Sequence, residues 1–306
     1  MPGSKVQGGS YSLGADNTVR PFLQNGRFYL TDRFSLNVYE CPTYSLPKGV
    51  VFFGHGIVEH SGRYLEWGRY LARHGYYVYA VDHRGHGRSD GRRLWAKKYS
   101  VLVDDFCAFV RRGAAGHPGI PVFIAGMSMG GGIAVQATVR LQEELPNFRG
   151  AVLVSPGIAV APKVFPRLRK LAPVFDFLVP WLPIVKPGIG ALSASPEIRE
   201  QFRNDPDVYH GWITVHFGAE NLRALAVNQG CAQGIRVPVL ICQGDSDRIT
   251  DPAGAARFFN EMKAGGKAMK VYPGAGHDLL HEDGVGDEAS RDIVEWLDAR
   301  LAENRS

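Results

Sequence analysis

Cysteine is scarce in this 306-residue sequence: Cys41, Cys107, Cys231 and Cys242 are the only four, and they lie far apart. No two of them form a C-x-x-C motif, so neither a metal-binding cluster nor a disulfide framework is indicated. We therefore expect no metal site and a reducing compartment, the cytoplasm. Cys107 and Cys242 lie within apolar runs and are predicted to be buried thiols.

Long apolar runs are also missing. The most apolar stretch, APVFDFLVPWLPIV at 172–185, is shorter than the ~20 residues of a membrane span and is interrupted by Asp176, Pro180 and Pro183. The first residues, MPGSKVQGGSYSLG, contain no apolar h-region, so no secretory signal peptide is expected.

The excess of positive charge is small. The chain has 35 Lys and Arg against 30 Asp and Glu, and the basic residues are too scattered to form a nucleic-acid-binding stripe. The densest basic cluster, PKVFPRLRK at 162–170, is interleaved with apolar residues, which favours an anionic lipid surface over nucleic acid as a partner. A solvated helix face is the alternative for this cluster.

Seven short apolar runs alternate with helical patterns along the chain. The runs are FSLNVYE, GVVFFGHG, YYVYAVDHRG, PVFIAGMS, GAVLVSPG, VPVLICQG and AMKVYPGAGH. Several are apolar on both faces, as strands of a helix-covered parallel sheet are. Residues 63–75 and 289–303 carry apolar side chains at helical spacing, and Gly75 is a suitable C-cap. This alternation predicts an α/β doubly wound sheet.

One region breaks the alternation. Residues 158–230 contain many prolines and several aromatics but no convincing central strand, and a structureless loop of that length is unusual in a compact domain. We interpret the region as a mostly helical cap. The predicted division is therefore 1–157 for the first part of the core, 158–230 for the cap and 231–306 for the second part.

The stretch GMSMG at 126–130 matches G-x-S-x-G. An apolar strand precedes it and a small-residue helical segment follows it, which is the context of a nucleophile elbow presenting Ser128 above the sheet. A glycine-rich corner with an incidental serine is the alternative.

A serine hydroxyl needs a base, and that base needs an orienting carboxylate. In this arrangement the chain order is Ser, then Asp or Glu, then His, each after a strand. His277 follows the turn PGAG at a strand end and is the predicted base. His281 lies one helical turn further and is predicted to be a residue at the rim of the site or a capping residue.

The acid is sought in DSDRITD, after the strand VPVLICQG. We choose Asp247. Asp245, nearest the strand end, is the rival, and Asp251 before Pro252 has the pattern of a helix N-cap.

The loop FFGHGIVEHSGRY at 52–64 follows an early strand and enters a helix. The backbone N–H groups of Ile57 and Met129 are therefore the predicted oxyanion hole. Glu59, His60 and Arg63 in this loop are candidates for contact with a substrate headgroup; a loop-stabilising ion pair is the equal alternative.

Five motifs, HGIVEHSGRY, DHRGHGRSDG, GMSMGG, QGDSDR and PGAGHDLLH, occur in this order. Together they resemble the monoacylglycerol lipases of the serine-hydrolase α/β-hydrolase superfamily, from about Arg33 to the last helix. The resemblance implies an α/β-hydrolase fold with a mostly parallel sheet and a helical cap after the sixth strand. It places the triad on Ser128, Asp247 and His277 and requires no cofactor.

The sequence departs from the family at three positions. Met127 stands before the serine where histidine is frequent, and His281 follows the first histidine by four residues instead of three, which weakens a headgroup role for it. Val58 replaces a common glycine, and a β-branched residue would be strained there if the loop requires positive φ.

We therefore expect a serine ester hydrolase that cleaves monoacylglycerol to glycerol and a free fatty acid through an acyl-enzyme. Lysophospholipase and general carboxylesterase are the alternatives; a non-catalytic lipid-binding protein would show a broken triad. The expected partner is a small lipid and not nucleic acid. The expected location is cytoplasmic, with the cap a candidate for peripheral contact with membranes or lipid droplets.

Overall fold

The computed structural model describes residues 11–13, 19–21, 23, 25–161, 166–186, 188, 193 and 195–302. Of residues 11–13, 19–21 and 166–170 only the backbone is described. Residues 162–165 of the predicted basic cluster lie outside the described residues.

The strands, in chain order, are β1 (Tyr11–Leu13), β2 (Val19–Pro21), β3 (Arg27–Thr31), β4 (Phe34–Cys41), β5 (Gly49–Gly54), β6 (Tyr76–Val81), β7 (Val122–Met127), β8 (Phe148–Val154), β9 (Pro183–Val185), β10 (Ile213–Thr214), β11 (Val239–Gly244) and β12 (Ala268–Tyr272). The α-helices are α1 (Leu65–Arg73), α2 (Tyr99–Ala115), α3 (Met129–Glu144), α4 (Pro166–Leu178), α5 (Pro196–Asn204), α6 (Val215–Gly230), α7 (Pro252–Glu261) and α8 (Val285–Ala302).

Within the described residues, eight strands form the central sheet in the order β12-β11-β8-β7-β5-β6-β4-β3. The neighbours from β12 to β6 run parallel, and β4 joins β6 and β3 antiparallel. The mostly parallel sheet and all seven predicted strands are confirmed. The eighth, β3, was not predicted because it is a five-residue edge strand in which only Phe28 is buried, too short for its alternation to show.

The sheet is covered on both faces. Every residue of β5, β7 and β11 is buried, as parallel strands between two helical layers are. On one face Phe53 packs against Trp67 of α1, with ring centroids 5.0 Å apart. On the other face Phe52 packs against Phe109 of α2, with centroids 5.3 Å apart. The carboxyl ends of the strands are thereby held in fixed relation to one another.

The segment between β8, the sixth strand of the central sheet in chain order, and β11 contains α4, α5 and α6. It contributes no strand to the central sheet within its described part. Its β9 and β10 form a short antiparallel pair, which the sequence did not predict because each has only two or three residues. We call residues 158–230 the cap.

Cys107 and Cys242 are buried, as predicted, and burial raises the pKa of these thiols to about 11 and about 12. Both thiols are therefore protonated and unreactive near neutral pH.

Across the described ranges, every helix is too short or too polar to cross a bilayer.

Candidate active site

Ser128 lies at the junction of β7 and α3, in a conformation rarely adopted by a residue with a side chain. Its φ is 52° and its ψ is −115°. Its N–H donates to Val154 O at 3.0 Å, which anchors the corner to the neighbouring strand. Strain of this kind persists only where the surroundings hold it, and it is typical of functional sites.

The glycines around Ser128 are required by close backbone approach. A Cβ added to Gly126 would lie 2.2 Å from Gly130 O, and one added to Gly130 would lie 2.1 Å from Gly54 O. No side chain fits at such distances. The two glycines of the G-x-S-x-G pattern are therefore needed because only glycine lets the strand and the helix meet at so sharp a turn.

His277 connects Ser128 to Asp247. Ser128 Oγ lies 2.9 Å from His277 Nε2, and His277 Nδ1 lies 2.8 Å from Asp247 Oδ2. All three residues are buried and follow β7, β11 and β12, whose carboxyl ends lie at one edge of the sheet. In this geometry the serine O–H can donate to the imidazole while the carboxylate accepts the opposite ring N–H.

Four further hydrogen bonds fix the carboxylate of Asp247. Its Oδ1 accepts the N–H groups of Ile249 and Thr250 at 2.8 and 3.0 Å. Its Oδ2 accepts from the Thr250 hydroxyl and from Gln243 Nε2. The sequence did not single out Gln243 or Thr250, because a contact to a neighbouring loop carboxylate leaves no pattern in the chain.

The protonation of the pair follows from their contact. Burial disfavours the charged imidazolium, but the Asp247 carboxylate outweighs burial and raises the pKa of His277. Burial also disfavours the carboxylate, yet His277, Thr250 and the Ile249 N–H together lower the pKa of Asp247. Asp247 therefore stays ionised and stabilises the imidazolium that proton transfer from the serine would create.

The rival acids lie elsewhere. Asp245 is exposed and its Oδ1 accepts the Gly274 N–H at 2.7 Å. Asp251 caps α7 by accepting the Ala253 N–H at 3.1 Å, which confirms its predicted N-cap role. Of the three candidate acids, the structure places Asp247 against His277.

Ile57 and Met129, the predicted oxyanion donors, line the same cavity as Ser128. Met129 is the first residue of α3, where backbone N–H groups have no partner within the helix. A Cβ added to Gly56 would lie 3.2 Å from Ser128 Cβ, so the loop passes close to the serine. These positions suit an oxyanion hole, and the donor role of the two N–H groups stays a prediction.

Val58, next to Ile57, has a φ of 63°. The loop therefore does place a β-branched residue in the left-handed region, as its departure from the family suggested. Val58 is 3% exposed, so its side chain is packed as well as strained. Such a conformation costs about 1–3 kcal/mol and must be held by contacts around it.

Glu59, Arg63 and His281 belong to one network, in which only the His281 side chain is partly exposed, at 21%. The Arg63 guanidinium pairs with Glu59 and, at 2.9 Å, with Asp278 Oδ2. His281 Nδ1 lies 2.6 Å from Asp278 Oδ1, and the Tyr64 hydroxyl donates to Glu59 Oε1 at 2.7 Å. Burial disfavours ionised Asp278, but His281 and Arg63 reverse this and lower its pKa.

The network favours one of the two roles that the sequence left open. The side chains of Arg63 and Glu59 are 8% and 4% exposed, and their charges are satisfied by each other and by Asp278. This favours the loop-stabilising ion pair, while contact of Glu59, Arg63 or His281 with substrate stays a prediction. Sequence reasoning missed Asp278, although a carboxylate directly after the candidate base was a visible signal.

A cavity of about 420 Å³ opens beside Ser128, between the core and the cap. Its described lining residues are Ile57, Tyr99, Ser128, Met129, Gly157, Ala159, Val160, Ala172, Phe175, Leu182, Ile184, Val185, Ile213, Val215, Gly218, Ala219, Asn221, Leu222, Ala224, Leu225, Ile249 and Thr250. None of these carries a charged side chain. The cavity therefore suits an apolar chain attached to a group that reacts at the serine.

One group of described residues has the composition of a metal site. Donor atoms of His60, Asp205 and Asp207 lie within 4.8 Å of one another. Each side chain is already engaged, because His60 Nε2 lies 2.9 Å from Asp205 Oδ2 and Arg88 Nε donates to Asp207 Oδ2 at 2.8 Å. We interpret the group as two contacts between core and cap, a hydrogen bond at His60 and an ion pair at Arg88; the absence of a metal stays a prediction.

Comparisons with known proteins find a matching family model and several similar lipases. Residues 45–284 match the model of the Hydrolase_4 family, described as serine aminopeptidase, S33. The chain is 32% identical to a monoglyceride lipase of Rattus norvegicus, over 84% of each chain. It is 34% identical to a monoacylglycerol lipase of Mycolicibacterium smegmatis, over 83% of this chain and 90% of that one. The solved structure of a Paleococcus ferrophilus monoacylglycerol lipase matches 87% of this chain and 99% of its own, with 29% identity and a TM-score of 0.76.

Proposed function

We propose that this chain, which belongs with the monoacylglycerol lipases to the Hydrolase_4 family, hydrolyses monoacylglycerol to glycerol and a free fatty acid. The observation that carries the proposal is the position of Ser128. Its Oγ lies 2.9 Å from His277 Nε2 and opens on a cavity of about 420 Å³. A nucleophile beside an uncharged cavity suits an ester with one apolar chain.

The reaction follows from the contacts of Ser128. Its Oγ attacks the ester carbonyl as His277 Nε2 takes the hydroxyl proton, and the N–H groups of Ile57 and Met129 stabilise the oxyanion. The ester C–O bond then breaks, and His277 returns the proton to the departing glycerol oxygen. In the second half, water loses a proton to His277 and attacks the acyl-enzyme, which releases the fatty acid and restores Ser128.

The cavity provides the binding energy for the acyl chain. Each methylene moved from water to an apolar lining contributes about 0.8 kcal/mol. Phe175, Ile184 and Leu222 of the cap contribute to this lining, together with Ile249 of the core. Substrate affinity therefore depends on the cap, whereas the reacting groups belong to the core.

The aminopeptidase activity in the family description is less consistent with the site. An aminopeptidase must bind the substrate's terminal ammonium, and an unpaired buried charge is costly without a carboxylate partner. Among the described lining residues, none supplies one. The carboxylates of Glu59 and Asp278 are already paired with Arg63.

We further propose that the cap acts as a lid that docks on lipid surfaces. Helix α4 places Ala172 and Phe175 on the cavity, while Leu171, Val174 and Leu178 are exposed. A helix that is apolar on both its inner and its outer side suits a lipid layer as its second neighbour. The enzyme would then be cytoplasmic and peripheral on membranes or lipid droplets. Phe165, an apolar residue of the basic cluster at 162–170, lies outside the described residues.

A substrate panel tests the proposed reaction. We would measure turnover of a monoacylglycerol, lysophosphatidylcholine, a short p-nitrophenyl ester and an aminoacyl p-nitroanilide, with Ser128→Ala as the blank. The expected order has monoacylglycerol first and the anilide at blank level. Preferential turnover of lysophosphatidylcholine would make the chain a lysophospholipase, and turnover of the anilide alone would overturn the ester assignment.

A further inference from the structure

The loop that carries Ile57 is fastened from two sides. We call residues 55–60 the oxyanion loop. On the core side, Glu59 Oε1 accepts both the Gly56 N–H at 2.6 Å and the hydroxyl of Tyr64, outside the loop, at 2.7 Å, which ties Gly56 to the core through Glu59. On the cap side, the Tyr209 N–H donates to Val58 O at 2.7 Å. Ile57 therefore lies between one residue held by the core and one held by the cap.

A second cap contact lies two residues beyond Val58. His60 Nδ1 accepts the Gly62 N–H at 3.1 Å, so the ring proton is on Nε2. That Nε2–H donates to Asp205 Oδ2, at 2.9 Å. Asp205 Oδ1 accepts the Asp207 N–H at 2.8 Å, so both carboxylate oxygens are used, one for His60 and one for the cap's own turn.

Val58 is the residue that most needs these contacts. Its φ of 63° is unfavourable for a β-branched side chain, so the loop would relax to another conformation unless its neighbours prevented it. The Tyr209 bond satisfies the buried Val58 carbonyl in this conformation. The His60 bond fixes the chain on the other side of Glu59.

We propose that the Tyr209–Val58 and Asp205–His60 contacts form a clasp through which the cap holds the oxyanion loop in its reactive geometry. Asp205 is then a positioning residue that acts through His60 on the Ile57 N–H and does not touch the substrate. This inference rests on the proposed ester hydrolysis. It makes the oxyanion hole a joint product of core and cap, although both predicted donors belong to the core.

If the clasp holds a strained loop, the effect of losing it should depend on the residue at position 58, which would not hold for a contact that only stabilises the fold. Glycine adopts positive φ without strain, so Val58→Gly should keep the loop conformation with less help from the cap. Loss of the Asp205 contact should therefore matter in the natural sequence and matter little in the Val58→Gly background. Such non-additivity is measured by a double-mutant cycle.

The cycle uses Asp205→Ala, Val58→Gly and the double variant, assayed with a short soluble p-nitrophenyl ester. In the natural background we expect Asp205→Ala to lower kcat about tenfold with KM within about twofold, because the oxyanion forms only in the transition state. In the Val58→Gly background we expect the same substitution to lower kcat about twofold or less.

Asp207→Ala is the matched control, because it breaks the exposed Arg88–Asp207 pair on the same turn. We expect it to leave kcat within about twofold in both backgrounds. If Asp205→Ala fails to fold, His60→Ala breaks the same hydrogen bond from the core side and should show the same dependence on Val58→Gly. Thermal melts of each variant identify losses of fold.

Equal loss of kcat in both backgrounds would overturn the clasp, as would a change in KM alone. Absence of esterase activity in the natural protein would instead contradict the proposed function. The two failures are therefore distinguishable within one set of assays.

Discussion

The core and the cap treat apolar side chains in opposite ways. Every residue of β5 and β7 is buried, whereas Phe177 and Trp181 of the cap are 85% and 66% exposed. The core is closed on both faces and holds its reacting groups by short, satisfied hydrogen bonds. The cap is apolar towards the cavity and also towards solvent. Exposure of so much apolar surface to water is unfavourable, so we expect the outer side of the cap to contact an apolar partner.

The contrast in exposure assigns different roles to the two regions: the core carries out the reaction and the cap controls access of the substrate. Ser128, Asp247 and His277 are core residues, and substitutions there should abolish turnover of every ester. Substitutions on the outer cap should change where the enzyme binds and leave its chemistry intact.

The largest loss is expected for Ser128→Ala. Removing the nucleophile should lower hydrolysis of both monoacylglycerol and a soluble ester at least ~10³-fold, as loss of a triad member does. Only one hydroxyl leaves a small corner, so the thermal melt should shift little. His277→Ala should match this loss, and His281→Ala should lose far less; the reverse order would place the base one helical turn away.

Asp247→Asn should give the next largest loss, at least about 10²-fold in kcat. The amide cannot hold the imidazole in the tautomer that accepts the serine proton. Asp245→Asn is the matched control, since it alters a neighbouring carboxylate that contacts Gly274 instead of His277. Steady-state kinetics on a soluble ester separate the two, and an equal or greater loss in the control would identify Asp245 as the acid.

On the cap, Phe177→Ser with Trp181→Ser should weaken binding to anionic lipid vesicles about tenfold or more. Each large apolar side chain that enters a lipid layer contributes on the order of 1 kcal/mol or more. Hydrolysis of a soluble ester should stay within about twofold. Leu46→Ser, which removes an exposed leucine of the core, is the control. Sedimentation with vesicles checks the result; no vesicle binding by the natural protein would end the docking proposal.

The smallest effect is a shift along the pH axis. His277 must be neutral to accept the serine proton, and its pKa is raised by Asp247 against the opposing effect of burial. Activity should therefore fall as pH falls, with a midpoint above that of an ordinary histidine. In Asp247→Asn the carboxylate no longer raises the pKa of His277 against the effect of burial. The midpoint of the residual activity should therefore move to lower pH. A pH profile of kcat/KM checks both, and a midpoint shifted upward would contradict the assignment.

Residues fixed by local chain geometry could be predicted from the sequence. Gly126, Ser128 and Gly130 form the sharp turn between β7 and α3. His277 follows a glycine-rich turn at the end of a strand. Strands β5, β7 and β11 were predictable because burial on both faces leaves continuous apolar runs.

Contacts between distant segments could not be predicted in this way. His60 and Asp205 are 145 residues apart, and Arg63 and Asp278 are 215 apart. Neither pair leaves a periodic pattern. The same holds for Tyr209 and Val58: the sequence raised the question of strain at position 58, but only the structure supplies the contact that holds it.

We expect ester hydrolysis to take place at Ser128 in the core. The most direct measurement is a titration with an active-site fluorophosphonate, following the labelled fraction of the Ser128 peptide by mass spectrometry and the remaining monoacylglycerol hydrolysis in the same samples. We expect hydrolysis to fall in direct proportion to labelling of Ser128 and to reach zero at full occupancy. Hydrolysis that persists when Ser128 is fully labelled, or that is lost while Ser128 remains free, would contradict the account.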